Sequence, residues 1–373
     1  MENNKEPFEP LENLTQVINT RGTFTPLGVS RSSSAVGEAV SKGLSNYYLM
    51  EELHDRVGES VAQFAQAEAA TVTHCTAAGI TLSVAALMTG NSAERIAALP
   101  NTKGMTQEVV IPAHQRVSYG HPIVQAIRLS GATPVVAGKA QGCSLEDIDQ
   151  QLNNGKTCCL LMVSSKLVGQ ENLDFKAAIQ IAHGKGIPVV IDGAAQDFRL
   201  QELVETGADL VLVSAQKYMA APTAGLVVGK KNWVRAVRAQ EKGIGRAMKP
   251  TKEALMGVWA ALQERKSMDL EMWKARQQEK VKDFVSEANT LAGTRAWVVP
   301  DPTGLPFSRA HLAIIDRDSL PKAKAVAAQL KSGNPSIWTI DQNAEKGELA
   351  FELVQTNEKE IATILQRLKE IIS

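Results

Sequence analysis

The sequence predicts an α/β fold in which a mainly parallel sheet is covered by helices on both faces and is followed by a smaller α+β C-terminal domain. Two observations predict it. Short, near-continuous apolar runs (EVVIP, TPVVAG, CCLLMV, IPVVID, DLVLVS and GLVVG) recur through the middle two-thirds of the chain, most of them separated by stretches with helical periodicity. From about Pro250 the texture changes to a long, charged, helix-forming segment, shorter strands and a last amphipathic helix.

The elements follow in order. Leu49, Met50, Leu53, Val57, Val61 and Phe64 recur at helical spacing and give a helix with one apolar stripe. TVTHC (71–75) reads as a short strand, TAAG as a turn and ITLSVAALMTG as a helix, and DFKAAIQIAHGKG and LQELVETG read as helices between later strands. TKEALMGVWAALQERKSMDLEMWKARQQEKVKDFVSEANTL reads as a long linking helix, and GTRAWVVPDPTGLPFS as the most loop-like stretch. HLAIID, SIWTID and LAFEL read as strands and NEKEIATILQRLKEII as the closing helix. The expected division is an N-terminal segment (1–45) packing on the small domain, a large domain (46–249), and a small domain (250–373) that includes the linking helix.

Composition narrows the function classes. With 373 residues, 40 Lys+Arg against 40 Asp+Glu and 44% hydrophobic residues, the chain is an ordinary globular protein with material for a large core. A balanced charge argues against general nucleic-acid binding. The start, MENNKEPFEPLENL, has no basic region followed by an apolar core, and no apolar run approaches the ~20 residues of a membrane span. A cytoplasmic protein with no membrane partner is expected. Cys75, Cys143, Cys158 and Cys159 form no C-x-x-C pair, which fits a reducing compartment. The histidines (His54, His74, His114, His121, His183, His311) lack metal-ligand spacing, so no metal is expected.

The chemistry centres on LVLVSAQKYMAAPTAGLVVG (210–229), which sets Lys217 between two segments that read as buried strands. Lysine is seldom buried without a partner, so this one either snorkels out or is kept there for its amine. Asp192 stands at the carboxyl end of VVID, and Ser214 and Lys217 stand at the end of a later strand. Ligands of open α/β sheets bind at the carboxyl ends of the strands, so these groups can converge. Taken singly, the aspartate is a helix cap and the lysine a solvated strand end. Together they suit pyridoxal phosphate: the amine forms a Schiff base with the aldehyde, the acid keeps the pyridine nitrogen protonated, and the hydroxyl donates to the phosphate. Thr76, Ala77, Ala78 and Gly79, a small-residue turn opening a helix, supply a further phosphate site through backbone N–H groups and the helix dipole.

VINTRGTFTPLG, THCTAAG, IPAHQRVSYGHP, VVIDGAAQDF, SAQKYMAAPTAGLVVGKK and GIGRAMKPTKE together resemble the fold-type I pyridoxal-phosphate enzymes of the selenocysteine synthase-like group. Within it they are most similar to the branch containing D-glucosaminate-6-phosphate ammonia-lyase. The resemblance runs over nearly the whole chain and implies a seven-stranded, mainly parallel sheet in the large, cofactor-binding domain. It implies the cofactor roles just given for Lys217, Asp192, Ser214 and Thr76 to Gly79, and places His114 where it stacks on the cofactor ring. Gln196 reaches toward the phenolic oxygen, although the chain has one residue more than the D-x-A-[HQ] spacing of related enzymes. The resemblance also places Arg246 to meet a phosphate or carboxylate, in its own or a neighbouring subunit, with Lys249 as a point charge. Arg21 departs from the small residue frequent there and, like Arg309, is a candidate for the substrate.

The expected reaction is α,β-elimination: Lys217 removes the Cα proton, a Cβ hydroxyl leaves, and hydrolysis gives a 2-keto product and ammonia. Burial is expected to depress the Lys217 pKa. The substrate class implied is a hydroxylated amino acid or a phosphorylated amino sugar acid. Racemase, aldolase or transferase chemistry on the same fold stays open, as does a non-catalytic scaffold that retains it. At least a homodimer is implied, because enzymes of this fold build each site at a dimer interface.

Overall fold

The computed structural model describes residues 11, 13–169, 173–315 and 322–372, so most of the polar opening lies outside the described residues. Two compact units divide the chain: a larger one of Val29–Asp269 with Asp301–Pro306, and a smaller one of Met1–Gly28, Leu270–Pro300 and Phe307–Ser373. β1 (Val17–Asn19) belongs to the smaller unit.

The larger unit then runs through α1 (Ser34–Ser45), α2 (Met50–Ala65), β2 (Ala69–Thr73), α3 (Thr76–Thr89), α4 (Ala93–Ala98) and β3 (Glu108–Pro112). It continues with α5 (Ile123–Leu129), β4 (Thr133–Ala137), α6 (Leu145–Gln151), β5 (Thr157–Val163), α7 (Phe175–Gly184) and β6 (Val189–Asp192). α8 (Leu200–Glu205), β7 (Leu210–Ser214), β8 (Gly225–Gly229), α9 (Lys231–Ala239) and α10 (Lys252–Ser267) complete it. β2 to β8 form one seven-stranded sheet in the order β2-β8-β7-β6-β5-β3-β4. Every pairing in it is parallel except those of β8, which runs antiparallel to both β2 and β7. All strands but β8 therefore end at the same edge.

The near-continuous apolar runs are explained by two cores, one on each face. Leu160, Met162, Val189, Ile191, Val211, Val213, Leu226 and Val228 enter the core covered by α2, α7, α8 and α10. Their sequence neighbours Cys159, Leu161, Val163, Val190, Leu210, Leu212 and Val227 enter the core covered by α3, α5 and α9. Successive residues of a strand point to opposite faces, and here both faces are dry. α3 is buried at every position from Ala78 to Thr89, which suits a helix apolar on all sides.

The smaller unit continues with α11 (Leu270–Ala288), β9 (Thr294–Pro300), β10 (Ser308–Ile314), α12 (Ala323–Ser332), β11 (Ser336–Trp338), β12 (Glu348–Phe351) and α13 (Glu358–Ile372). β9, β10 and β12 make an antiparallel sheet with β10 in the middle, and β1 pairs in parallel with β11. Phe284, Ile337, Phe351 and Leu368 lie in its core. Among the described residues no helix is long and apolar enough to cross a membrane.

Several expectations change. The long linking helix is two helices, α10 and α11, separated at Met268 and Asp269, where the backbone of Met268 turns extended. α10 belongs to the larger unit, since Leu255, Val258 and Leu262 fill its core, so the division falls after Asp269 rather than at 249. α1 likewise belongs to the larger unit: a Cβ on Gly43 would lie 2.8 Å from Glu253 Cα, so α1 and α10 touch backbone to backbone. The stretch taken as loop-like holds β9, which residue for residue pairs with β10. The strand read at 71–75 is β2, ending at Thr73, because His74 N–H leaves the sheet to donate to the Met248 carbonyl at 2.8 Å. Thr76 to Gly79 are the first turn of α3 itself.

Candidate active site

The alternation of the strands brings the polar groups to one place. Asp192 shares the parity of Val190, and Ser214 that of Leu212, so both face the α3 side of the sheet at its carboxyl edge. Pairing sets Thr73, Gly225 and Ser214 in one row across β2, β8 and β7. Gly225 has to lack a side chain: its Cβ would stand 2.6 Å from the Cys75 carbonyl and 2.7 Å from Thr73 Oγ1. One turn on, a Cβ on Gly79 would lie 2.8 Å from a Leu212 methyl. These two glycines let the start of α3 come down onto the sheet beside Ser214.

The Cys75 sulfur caps α3 by accepting from Ala78 N–H at 3.5 Å, a weak bond for that position. The Thr76 hydroxyl is buried and has no hydrogen-bond partner. A helix start whose first amides lack intrahelical acceptors, with an unsatisfied hydroxyl beside them, is suited to an anion.

Asp192 Oδ1 accepts from Ala194 N–H at 3.0 Å. Burial pushes its pKa up to about 6, with the Lys217 charge and that hydrogen bond working against the rise. Lys217 lies in the loop after β7 and keeps a solvent-accessible edge, while the protein packed around its amine pushes its pKa down. Asp192 and Asp197 oppose that fall and Lys166 adds to it. An acid that holds its proton toward neutrality and an amine eased toward its neutral form can together accept, hold and return a proton.

His114 sits in the 3-10 turn Ala113–Gln115 that follows β3, with Nδ1 buried and without a partner, and burial lowers its pKa. Its neighbour Gln115 is structural, accepting from Val163 N–H at 2.8 Å. Tyr119, which the sequence reading did not single out, has a buried hydroxyl without a partner; burial, and then the charges of Asp192 and Cys75, raise its pKa. Its ring packs edge-on against His121 at 4.6 Å.

Other expected site residues are differently engaged. Gln196 is fully buried, and its Nε2 donates to Thr303 Oγ1 at 2.9 Å. Arg246 and Lys249 are exposed, on the segment that Met248 ties to His74 next to the start of α3. Arg21 and Arg309 belong to the smaller unit. Arg21 pairs with Asp341 at 2.7 Å and lies 4.4 Å over the Phe24 ring. Arg309 is buried, and Nε and Nη2 both donate to Glu352 Oε2, at 2.8 and 2.6 Å, so its fork is engaged within its own unit. Asp197 and Arg265, also unforeseen, form a buried ion pair of 2.8 Å. Among the described residues no His, Cys, Asp and Glu cluster could hold a metal ion.

Residues 29–276, a span that contains the body of the larger unit, match the family described as Cys/Met metabolism PLP-dependent enzyme. The chain is similar to D-glucosaminate-6-phosphate ammonia lyase of Salmonella typhimurium, at 32% identity over 96% of both chains. It is also similar, at 28% identity over 95% of this chain and 90% of the other, to 5'-C-glycyluridine monooxygenase-decarboxylase of a Streptomyces species. A solved structure of D-glucosaminate-6-phosphate ammonia-lyase superimposes with a TM-score of 0.87, at 32% identity and 96% coverage of each chain.

Asp192 makes the stability of the cofactor-free chain depend on pH. Its folded-state pKa is raised from 3.8 to about 6, so the native state binds more protons than the unfolded one in that window, and stability is lost as pH rises through it. Asp192→Asn has no such loss. Urea unfolding of the two chains is expected to show the variant gaining about 1–3 kcal/mol relative to the wild type between about pH 4 and pH 7. A difference that does not change with pH would contradict the burial of a raised carboxyl group.

Proposed function

Because the chain belongs to the family of pyridoxal-phosphate-dependent enzymes described as those of Cys/Met metabolism, we propose that it is a lyase that releases ammonia from a hydroxylated amino acid, a phosphorylated amino sugar acid in particular. The observation that carries the substrate class is the likeness, over nearly the whole chain, to D-glucosaminate-6-phosphate ammonia lyase.

We assign Lys217 to the cofactor aldehyde, Asp192 to its ring nitrogen, His114 to its ring face, and Ser214, Thr76 and the start of α3 to its phosphate, with Ala77 N–H as the donor there, since Ala78 N–H is given to the Cys75 sulfur and Gly79 N–H to the Cys75 carbonyl at 2.9 Å. The unsatisfied Thr76 hydroxyl and His114 Nδ1 support the fit, since a bound polar group would give buried atoms the partners they lack. When bound, pyridoxal phosphate supplies an aldehyde for the amine and a ring that draws off negative charge from Cα. The protein's part is proton handling in a largely buried site. Lys217 takes the proton from Cα, and Asp192 holds a proton at the ring nitrogen. Loss of the Cβ hydroxyl as water, followed by hydrolysis at Cα, leaves a 2-keto acid and ammonia with no oxidant consumed.

The free cysteines accord with a reducing, cytoplasmic setting. A homodimer is supported by an apolar prominence between α1 and α2, where Leu44, Tyr47 and Leu49 are 58%, 100% and 76% exposed. Lys252 holds it in place by donating to the Leu44 and Asn46 carbonyls at 3.1 and 2.7 Å.

Supplied with pyridoxal phosphate and D-glucosaminate 6-phosphate, the purified protein is expected to release ammonia and a 2-keto acid in equal amounts. Lys217→Ala is expected to lose both that turnover and the visible absorbance of the loaded protein. Racemised substrate without ammonia would contradict the lyase reading. Sedimentation is expected to give a dimer for the wild type and a smaller species for the double variant Tyr47→Glu, Leu49→Glu; an unchanged dimer would rule out this surface.

A further inference from the structure

We propose that the buried Arg265–Asp197 pair is the positioning device of the loop that carries Lys217. The inference rests on the assignment of Lys217 to the cofactor aldehyde. That loop leaves β7 at Ser214 and re-enters the sheet at Gly225, and its backbone is closed by Ala215 and Ala221, with Ala221 N–H donating to the Ala215 carbonyl at 2.9 Å. Within it, Ala220 takes a left-handed φ of 55°, a conformation that a residue other than glycine keeps only when its surroundings enforce it.

Three side chains contribute to the enforcement. The carbonyls of Gln216, Tyr218 and Ala220 alternate around Lys217, and each accepts from a side chain of another element. Ser30 Oγ donates to Gln216, Arg265 Nη2 to Tyr218 at 2.8 Å, and Ser32 Oγ to Ala220 at 2.6 Å. Arg265 contributes the only charged donor of the three. It reaches in from α10, lies 3.9 Å over the Phe198 ring, and presents Nη1 to Asp197 Oδ2 at 2.8 Å. One fork thus joins the carbonyl next to Lys217 to the turn that follows β6, the strand that ends in Asp192. A lysine in its place could reach one partner and not both.

Stability alone does not account for the pair. The side chains are 8% and 0% exposed, and desolvating two charges so completely offsets much of what their attraction returns. The groups whose charge reaches the Lys217 amine are Asp192 at the end of β6, Asp197 in the turn beyond it, and Lys166 in the turn after β5. The pair therefore does two things for the amine: Arg265 fixes where its backbone stands, and Asp197 adds negative charge beside it.

Two variants test this. Arg265→Lys keeps a cation beside Asp197 but gives up the hydrogen bond to the Tyr218 carbonyl, and kcat for ammonia release is expected to fall about tenfold or more with KM within about twofold. Asp197→Asn is read in the cofactor-free protein, by acetylating with acetic anhydride across a pH series and following the Lys217 peptide by mass spectrometry. Loss of the neighbouring carboxylate is expected to move the Lys217 midpoint down by about half a unit or more. A merely structural pair would lower the unfolding temperature and leave kcat and the Lys217 profile of the folded protein at their wild-type values, which overturns the proposal. If Arg265→Lys does not fold, the isosteric Asp197→Asn decides by its profile alone. A wild-type protein that forms no bond between Lys217 and the cofactor would defeat the functional assignment instead, and the profile of the cofactor-free protein would still decide the role of the pair.

Discussion

A lysine amine held among packed side chains, with two buried carboxyl groups near enough to feel its charge, has to be supported by everything around it. Burial alone drives the Lys217 amine toward neutrality and drives Asp192 and Asp197 toward their protonated forms. The Lys217 charge moderates the rise in each carboxyl group, and each carboxyl group moderates the fall in the amine. The guanidinium of Arg265 opposes the rise at Asp197, and Asp192 keeps its proton up to a pKa of about 6.

The sheet is what makes such a cluster possible. β6 and β7 are apolar up to their last positions, which carry Asp192 and Ser214. Parallel order lines these ends up on one edge, and the single reversed strand, β8, returns the chain from the Lys217 loop into the same sheet. Gly225 and Gly79 then allow the start of α3 to come down onto that edge of the sheet.

Much of this was legible in the sequence for a physical reason. The strands of a doubly covered sheet are short unbroken apolar runs, and a functional group at a strand end is marked by the break in the run; Asp192, Ser214 and Lys217 were visible in that way. What was not legible depends on partners far apart in the chain. Arg265 is one charge among many on α10, and nothing near it points to Asp197 or to the Tyr218 carbonyl. Arg309 and Arg21 looked available because Glu352 and Asp341, which engage them, lie far along the sequence. Thr76 to Gly79 read as a turn because small residues serve equally in a loop and in a helix pressed against a sheet. The split between α10 and α11 lacks both glycine and proline, so no strong breaker announced it.

The central claim is that Lys217, and no other amine of this site, makes the bond to the cofactor. Reduction of the loaded protein with borohydride, followed by proteolysis and mass spectrometry, tests it most directly. The expected result is the reduced cofactor attached to the peptide that contains Lys217, with the Lys166 peptide unmodified. Attachment at Lys166, or recovery of both peptides unmodified, would contradict the account.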